Sequence, residues 1–261
     1  MSNTLLPHPF AKHFSVFVQR SVSQARVMAC SLLLVLNASA VSATSYDLVL
    51  SGGRVIDPET GLDAVRNVGI SEGVVQIVTN EKLDGKEELD VSGLIVAPGF
   101  IDLHSHASVT IAGQKYQARD GVTSALELEA GRYPVASSLA SVAGESIINY
   151  GVSASYLAIR GEVKGDLSKA FSETASDQEI TKILKLVDQE LENGGIGIGL
   201  PLDYASSVIT PGELHKIFEF AASRDVPIFV HIRRGTTPGD VSGLNEVIDL
   251  ALSLIHISEP T

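Results

Sequence analysis

Cysteine is all but missing from this chain: Cys30 is the single one among 261 residues. It lies inside the apolar run Val27 to Leu36 rather than behind it, which excludes a lipid-anchored cysteine, since the apolar stretch must then come first. Past residue 43 the chain holds no thiol, so no disulfide supports the fold. Basic charge is also scarce, with 19 Lys and Arg against 31 Asp and Glu. Three of those basic residues (Lys12, Arg20 and Arg26) precede residue 44 and no acidic residue does, leaving 16 against 31. A surface that acidic, with no basic cluster, argues against nucleic acid or anionic lipid as a partner. The Val27 to Leu36 run is too short to span a bilayer, so no membrane anchor is expected. The 23 glycines fall at strand ends and turns without a repeat period, which excludes a solenoid.

Residues 1–43 combine sparse positive charge, the apolar run, and Val41-Ser42-Ala43 with small residues at cleavage-type positions. That is the form of a signal peptide cleaved near Ala43, implying a periplasmic or secreted product. A buried helix or a misplaced start is the alternative. The whole sequence is 44% hydrophobic and 19% charged, the composition of a globular protein with a substantial core.

Residues 44–97 read as a small β domain. Short strands Asp47 to Leu50 and Arg54 to Ile56 flank Gly52-Gly53, and Glu72-Gly73 and Asp84-Gly85 supply further turns. From residue 98 strands and helices alternate, the pattern of parallel β/α units. The expected strands are Gly99 to His104, Val122 to Glu129, Val152 to Ile159, Ile196 to Leu200 and Pro227 to Ile232. Ser176-Asp177-Gln178-Glu179 is a capping box ahead of the apolar stripe Ile180, Ile183, Leu184, Val187, Leu191. Thr210-Pro211-Gly212-Glu213 is a second, with proline at the first helical position.

Two histidines carry the chemistry. His104 and His106 close the apolar strand that Pro98-Gly99 introduces. On a strand, residues two apart share a face, so the two imidazoles can share one zinc-like ion. His231, near the end of the Pro227 to Ile232 strand, is a third candidate, with a satisfied core histidine as the alternative. His215, beside Lys216 on a helix, reads as solvated surface. Glu127 and Glu129 are costly in a buried strand unless paired or metal-bound. Glu129, nearer the strand's end, is the first choice as a metal ligand and Glu127 the second; a salt bridge to Arg160 or Arg132 is the alternative. Arg233 and Arg234 follow His231, where a guanidinium could clamp a carboxylate or pair with structural acids.

These motifs, in this order, resemble the amidohydrolase superfamily, and among its members the D-aminoacylases (N-acyl-D-amino-acid deacylases). The likeness starts at Tyr46-Asp47-Leu48-Val49-Leu50-Ser51-Gly52-Gly53-Arg54-Val55-Ile56-Asp57. It runs through Val96 to His106, then Asp120-Gly121-Val122-Thr123-Ser124, and Val226 to Arg233, covering roughly residues 46 to 250. The resemblance implies an α/β fold: a TIM barrel preceded by half of a small β-sandwich. Residues 98–252 suffice for about five of eight barrel units, and residues 253–261 follow a helix without a turn residue, reading as a non-native tail. The chain is therefore expected to be a fragment, inactive alone.

The resemblance further implies one or two Zn2+ ions, and a small-molecule substrate such as an N-acyl amino acid or related amide. Metal ligands are expected at His104, His106, Glu129 and His231. Arg233 is expected to bind substrate, and Tyr204 matches a family loop beside the site. Asp102 is expected to support the ligands. Where D-aminoacylases place a cysteine this chain has Ala130, and the Gly195 to Leu200 strand lacks the lysine that two-metal members often carboxylate. The runner-up is a cyclic amidase (dihydroorotase- or hydantoinase-like) or a deaminase. A non-catalytic metal-binding fragment is the reading from another class.

Overall fold

The computed structural model describes residues 45–254. The segment expected to be a signal peptide (1–43) and residues 255–261 of the expected tail lie outside the described residues. The chain divides into two compact units, meeting between Ala97 and Pro98.

In the first unit, β1 (Tyr46–Asp57), β2 (Leu62–Ser71) and β3 (Val74–Thr79) form an antiparallel meander. β4 (Gly85–Asp90) and β5 (Ile95–Val96) pair in parallel with β1. The β2–β3 turn is Glu72-Gly73, both at positive φ (53° and 74°), the conformation a tight hairpin requires. Gly52-Gly53 is not the turn that two short strands would need. β1 continues through it, and the pairing jumps from Leu50↔Val68 to Gly53↔Arg66, a bulge with Gly52 at φ 72°.

The second unit is built on five parallel strands in the order β10-β9-β8-β7-β6. They are β6 (Phe100–Asp102), β7 (Val122–Arg132), β8 (Asn149–Ser155), β9 (Ile198–Leu200) and β10 (Ile228–Val230). Between them run α1 (Ile111–Arg119), α2 (Val135–Ala140), α3 (Tyr156–Lys164), α4 (Leu167–Ser172), α5 (Asp177–Glu192) and α6 (Pro211–Arg224), and α7 (Ser242–Leu254) follows β10. This curled sheet with connecting helices is a partial TIM barrel. Ile183 and Val187 of α5 and Leu214 and Ile217 of α6 are fully buried with Ile198 and Leu200 of β9. Each such side chain contributes about 1.5–3 kcal/mol of burial.

Two local expectations are corrected. The strand expected to reach Ile159 stops at Ser155, whose hydroxyl accepts from Ala158 N and caps α3. A short apolar run such as Tyr156 to Ile159 serves a buried helix as well as a strand. Lys164 ends this helix, and its Nζ turns to Thr174 O and Glu179. The helix expected to end at Leu252 runs on to Leu254, which is buried in the core.

Both helix starts are capped, but differently. Ser176 and Glu179 form the full reciprocal box on α5. Thr210 accepts from Glu213 N, yet the Glu213 carboxylate turns inward to Arg160 (2.8 Å) and Tyr156 OH (2.9 Å). Arg160 and Glu213 are both fully buried, and the guanidinium also donates to Ala170 O and Val208 O. Burial, with Glu213 beside it, holds the Tyr156 phenol well above its usual pKa. Arg160 is thus a core brace and no partner of Glu127 or Glu129. No helix among the described residues is long and apolar enough to cross a membrane.

Candidate metal centre

His104 and His106 sit just past β6, which ends at Asp102, so strand alternation does not align them. A short turn does. Asp102 Oδ1 accepts from His104 N (3.0 Å), Ser105 N donates to Leu126 O on β7 (3.1 Å), and Gln117 of α1 donates to Ser105 Oγ (2.6 Å). The two rings meet edge to face with centroids 5.2 Å apart. Asp102 therefore supports the pair through the backbone of His104.

β7 brings the carboxylates. Its pairing with β8 is regular to Glu127↔Val152 and resumes at Arg132↔Ala154, so five steps on β7 match two on β8. Residues 128–131 arch out of the sheet. Two glycines make the arch possible. A Cβ on Gly131 (φ 66°) would meet Ser153 O and Ser155 N at 2.8 Å, and one on Gly199 would meet Leu128 O at 2.6 Å and Glu129 O at 2.9 Å. The arch thus lies over β9 and carries Glu129 toward β10, the way a bulge re-aims a side chain.

The result is one cluster. Glu129 Oε2 lies 3.8 Å from His104 Nε2 and 3.9 Å from His106 Nε2, and Oε1 lies 3.1 Å from His231 Nδ1. One ligand atom each from His104, His106 and Glu129 falls within a 4.8 Å sphere of mutual distances. Tetrahedral zinc with ligands at about 2.1 Å separates them by about 3.4 Å, so this donor set fits a divalent cation after small side-chain adjustments. The nitrogen and carboxylate donors suit zinc-like ions. Glu127, on the straight part of β7 and 2% exposed, faces His106 Nδ1 and Arg132 NH2 (3.6 Å). Arg132 answers Glu127, whereas among the described residues no lysine or arginine pairs with Glu129, a negative excess that a bound cation would offset.

The cluster opens into a cavity of about 550 Å³ lined by Leu103, His104, Leu128, Glu129, Phe229 and His231. Tyr204, in the 3-10 turn Leu202–Ala205 after β9, packs edge-on against His231 with centroids 5.2 Å apart and is largely exposed. Asp203 beside it accepts from Arg234 N (2.7 Å) and donates its own N–H to His231 O (3.1 Å), tying this turn to the loop after β10.

Arg233 departs from its expected role. Its guanidinium donates to Ser206 O, to Ile209 O (2.7 Å) and to Glu246 (2.9 Å), so its donors hold loops together. Arg234, with its side chain 83% exposed and 3.4 Å from Asp203, is the arginine left facing solvent. His215 is exposed on α6, away from the cluster. Sequence reasoning missed the arch and its glycines; Gly197 and Gly199 in so short a strand were the available signal.

No family model matches the chain. A dihydroorotase from Streptococcus thermophilus is 28% identical over 226 residues, 82% of this chain and 48% of that protein. The N-acyl-D-glutamate deacylase of Bordetella bronchiseptica superposes with TM-score 0.70 at 20% identity, over 80% of this chain and 50% of that one. A D-aminoacylase described as defining a subset of amidohydrolases gives 0.65 at 22%, with the same coverage. The chain spans about half the length of these proteins. The chain shares the fold of these D-aminoacylase-type amidohydrolases and is similar in sequence to dihydroorotases.

Proposed function

We propose that the whole protein is a metal-dependent hydrolase of non-peptide C–N bonds, and that its substrates are N-acyl-D-amino acids. One observation carries this reading: Glu129 offers one oxygen to the His104–His106 pair and the other to His231. A carboxylate so placed would hold one cation together with His104 and His106, and its hydrogen bond to His231 keeps that histidine at hand as a further ligand. A metal bound there would supply a hydroxide near neutral pH and polarise the scissile carbonyl.

The chain's own residues supply the rest. His104 and His106 are held by the turn that Asp102 closes. Glu129, 13% exposed, lies at the inner wall of the cavity. Leu103, Leu128 and Phe229 give one side of the cleft an apolar lining. Arg234 at the mouth is suited to a substrate carboxylate, and Tyr204 OH to a hydrogen bond with substrate beside His231. Arg234, rather than Arg233, is the carboxylate clamp in this reading.

The deacylase reading draws support from the Bordetella bronchiseptica enzyme, solved with zinc and a phosphonate mimic of the tetrahedral intermediate. D-aminoacylase itself has a binuclear metal centre. The dihydroorotase likeness favours a second reading, a cyclic amidase. An assay of the zinc-loaded whole protein decides between them. Release of amino acid from N-acetyl-D-amino acids is expected. Turnover of dihydropyrimidine or hydantoin rings, without release from N-acyl-D-amino acids, would overturn the deacylase reading in favour of the cyclic amidase.

A further inference from the structure

Glu127 is a nearly inaccessible carboxylate, 2% exposed, on the straight part of β7. Both of its oxygens lie at hydrogen-bond distance from one ring nitrogen of His106: Nδ1 to Oε1 is 2.9 Å and Nδ1 to Oε2 is 3.0 Å. The opposite nitrogen, Nε2, points at Glu129 Oε2 from 3.9 Å. These distances separate the two glutamates chemically. At 2.9–3.0 Å a proton lies between nitrogen and oxygen. At 3.8–3.9 Å no proton is shared, but two ligands of one cation stand about that far apart.

We propose that Glu127 is a positioning residue: it holds the His106 proton on Nδ1 and so presents the Nε2 lone pair to the Glu129 side of the cluster. The proposal rests on the metal-centre reading above and deepens it. A neutral imidazole carries one proton, and the nitrogen that donates a hydrogen bond leaves the other as the ligand atom. A buried carboxylate on the far nitrogen therefore selects the tautomer and fixes the ring's direction.

Arg132, with NH2 3.6 Å from Glu127 Oε2, supplies the countercharge a carboxylate at this depth needs. A plain Glu127–Arg132 ion pair would leave the direction of His106 undetermined. Here the ring is seated on both carboxylate oxygens. His104 has no carboxylate on Nδ1 among the described residues, so the arrangement is particular to His106.

The test has two readouts. In metal-free protein at about pH 8.5, where an ordinary imidazole is neutral, two-bond 1H–15N spectra report which nitrogen of His106 is protonated. The wild type should carry the proton on Nδ1. In Glu127→Gln, of equal shape, the side-chain amide can donate as well as accept, so Nε2–H should gain population. Zinc affinity, measured by competition with a chromophoric chelator, should fall roughly 10- to 100-fold in that variant.

Wild-type His106 protonated on Nε2 would overturn the proposal without any variant, as would Glu127→Gln with wild-type tautomer and affinity. If the wild type binds no zinc while the Nδ1 tautomer depends on Glu127, the metal-centre reading fails and the positioning role stands.

Discussion

Glu129 Oε1 and His231 Nδ1 lie 3.1 Å apart although 102 residues separate them in the chain. They meet because β7 leaves its sheet after Glu127 and arches over β9 to the neighbourhood of β10. The central carboxylate of the cluster is thus placed by backbone geometry, and several consequences can be measured.

Glu129→Gln keeps the side chain's shape and removes the charge that His104, His106 and His231 share. Metal per chain, by elemental analysis, should fall, and the hydrolytic rate of the whole protein should collapse with it. Full metal and full rate in this variant would show that Glu129 is not a metal ligand.

Gly199→Ala forces a methyl group to within 2.6 Å of Leu128 O and 2.5 Å of Ser153 Oγ. The arch must shift, at a cost of about 1–3 kcal/mol in urea unfolding, and zinc affinity should drop in parallel. An unchanged affinity would separate the arch from the metal centre.

Arg233→Ala and Arg234→Ala should differ in kind. The first removes hydrogen bonds to Ser206 O, Ile209 O and Glu246 and should destabilise the fold by about 2–4 kcal/mol. The second should leave stability nearly unchanged and raise KM for N-acyl-D-amino acids with little effect on kcat. If the stability loss falls on Arg234 instead, the roles are reversed.

Arg160→Met leaves the Glu213 carboxylate buried without its partner, expected to cost about 3–5 kcal/mol by chemical denaturation. Adding Glu213→Leu should recover part of that loss, because the uncompensated charge is gone. A double variant no more stable than the single would assign the loss to the orphaned Ala170 and Val208 carbonyls.

Glu179 gives a pH dependence. Hydrogen bonds from Ser176 and the Lys164 ammonium lower its carboxyl from 4.5 to about 2. A carboxyl depressed by folding stabilises the fold above its unfolded pKa and loses that contribution as pH falls through the folded value. The stability gap between wild type and Glu179→Gln should therefore be constant near neutrality and shrink between about pH 4.5 and 2. A gap that persists at pH 2 would make the α5 cap independent of charge.

Local signals were legible wherever the cause lies within a few residues. The Ser176 box, the Thr210 cap, the Glu72-Gly73 turn and the alternation of strands with helices all announce themselves by spacing, since propensity and hydrogen bonding along a short stretch determine them. The His104–His106 pair stands out for the same reason, as residue types with few structural uses at that spacing. Tertiary structure alone decided the rest. Tyr156 to Ile159 became helix because Arg160 anchors α3 to Glu213 on α6, 53 residues away. Arg233 went to loop carbonyls and Arg234 to the solvent, though they are adjacent and chemically identical. Glu127 and Glu129 differ by two positions, yet one seats a histidine and the other faces three. Strand periodicity could not separate them, because the bulge that does so depends on room that Gly199 leaves on a strand far along the chain.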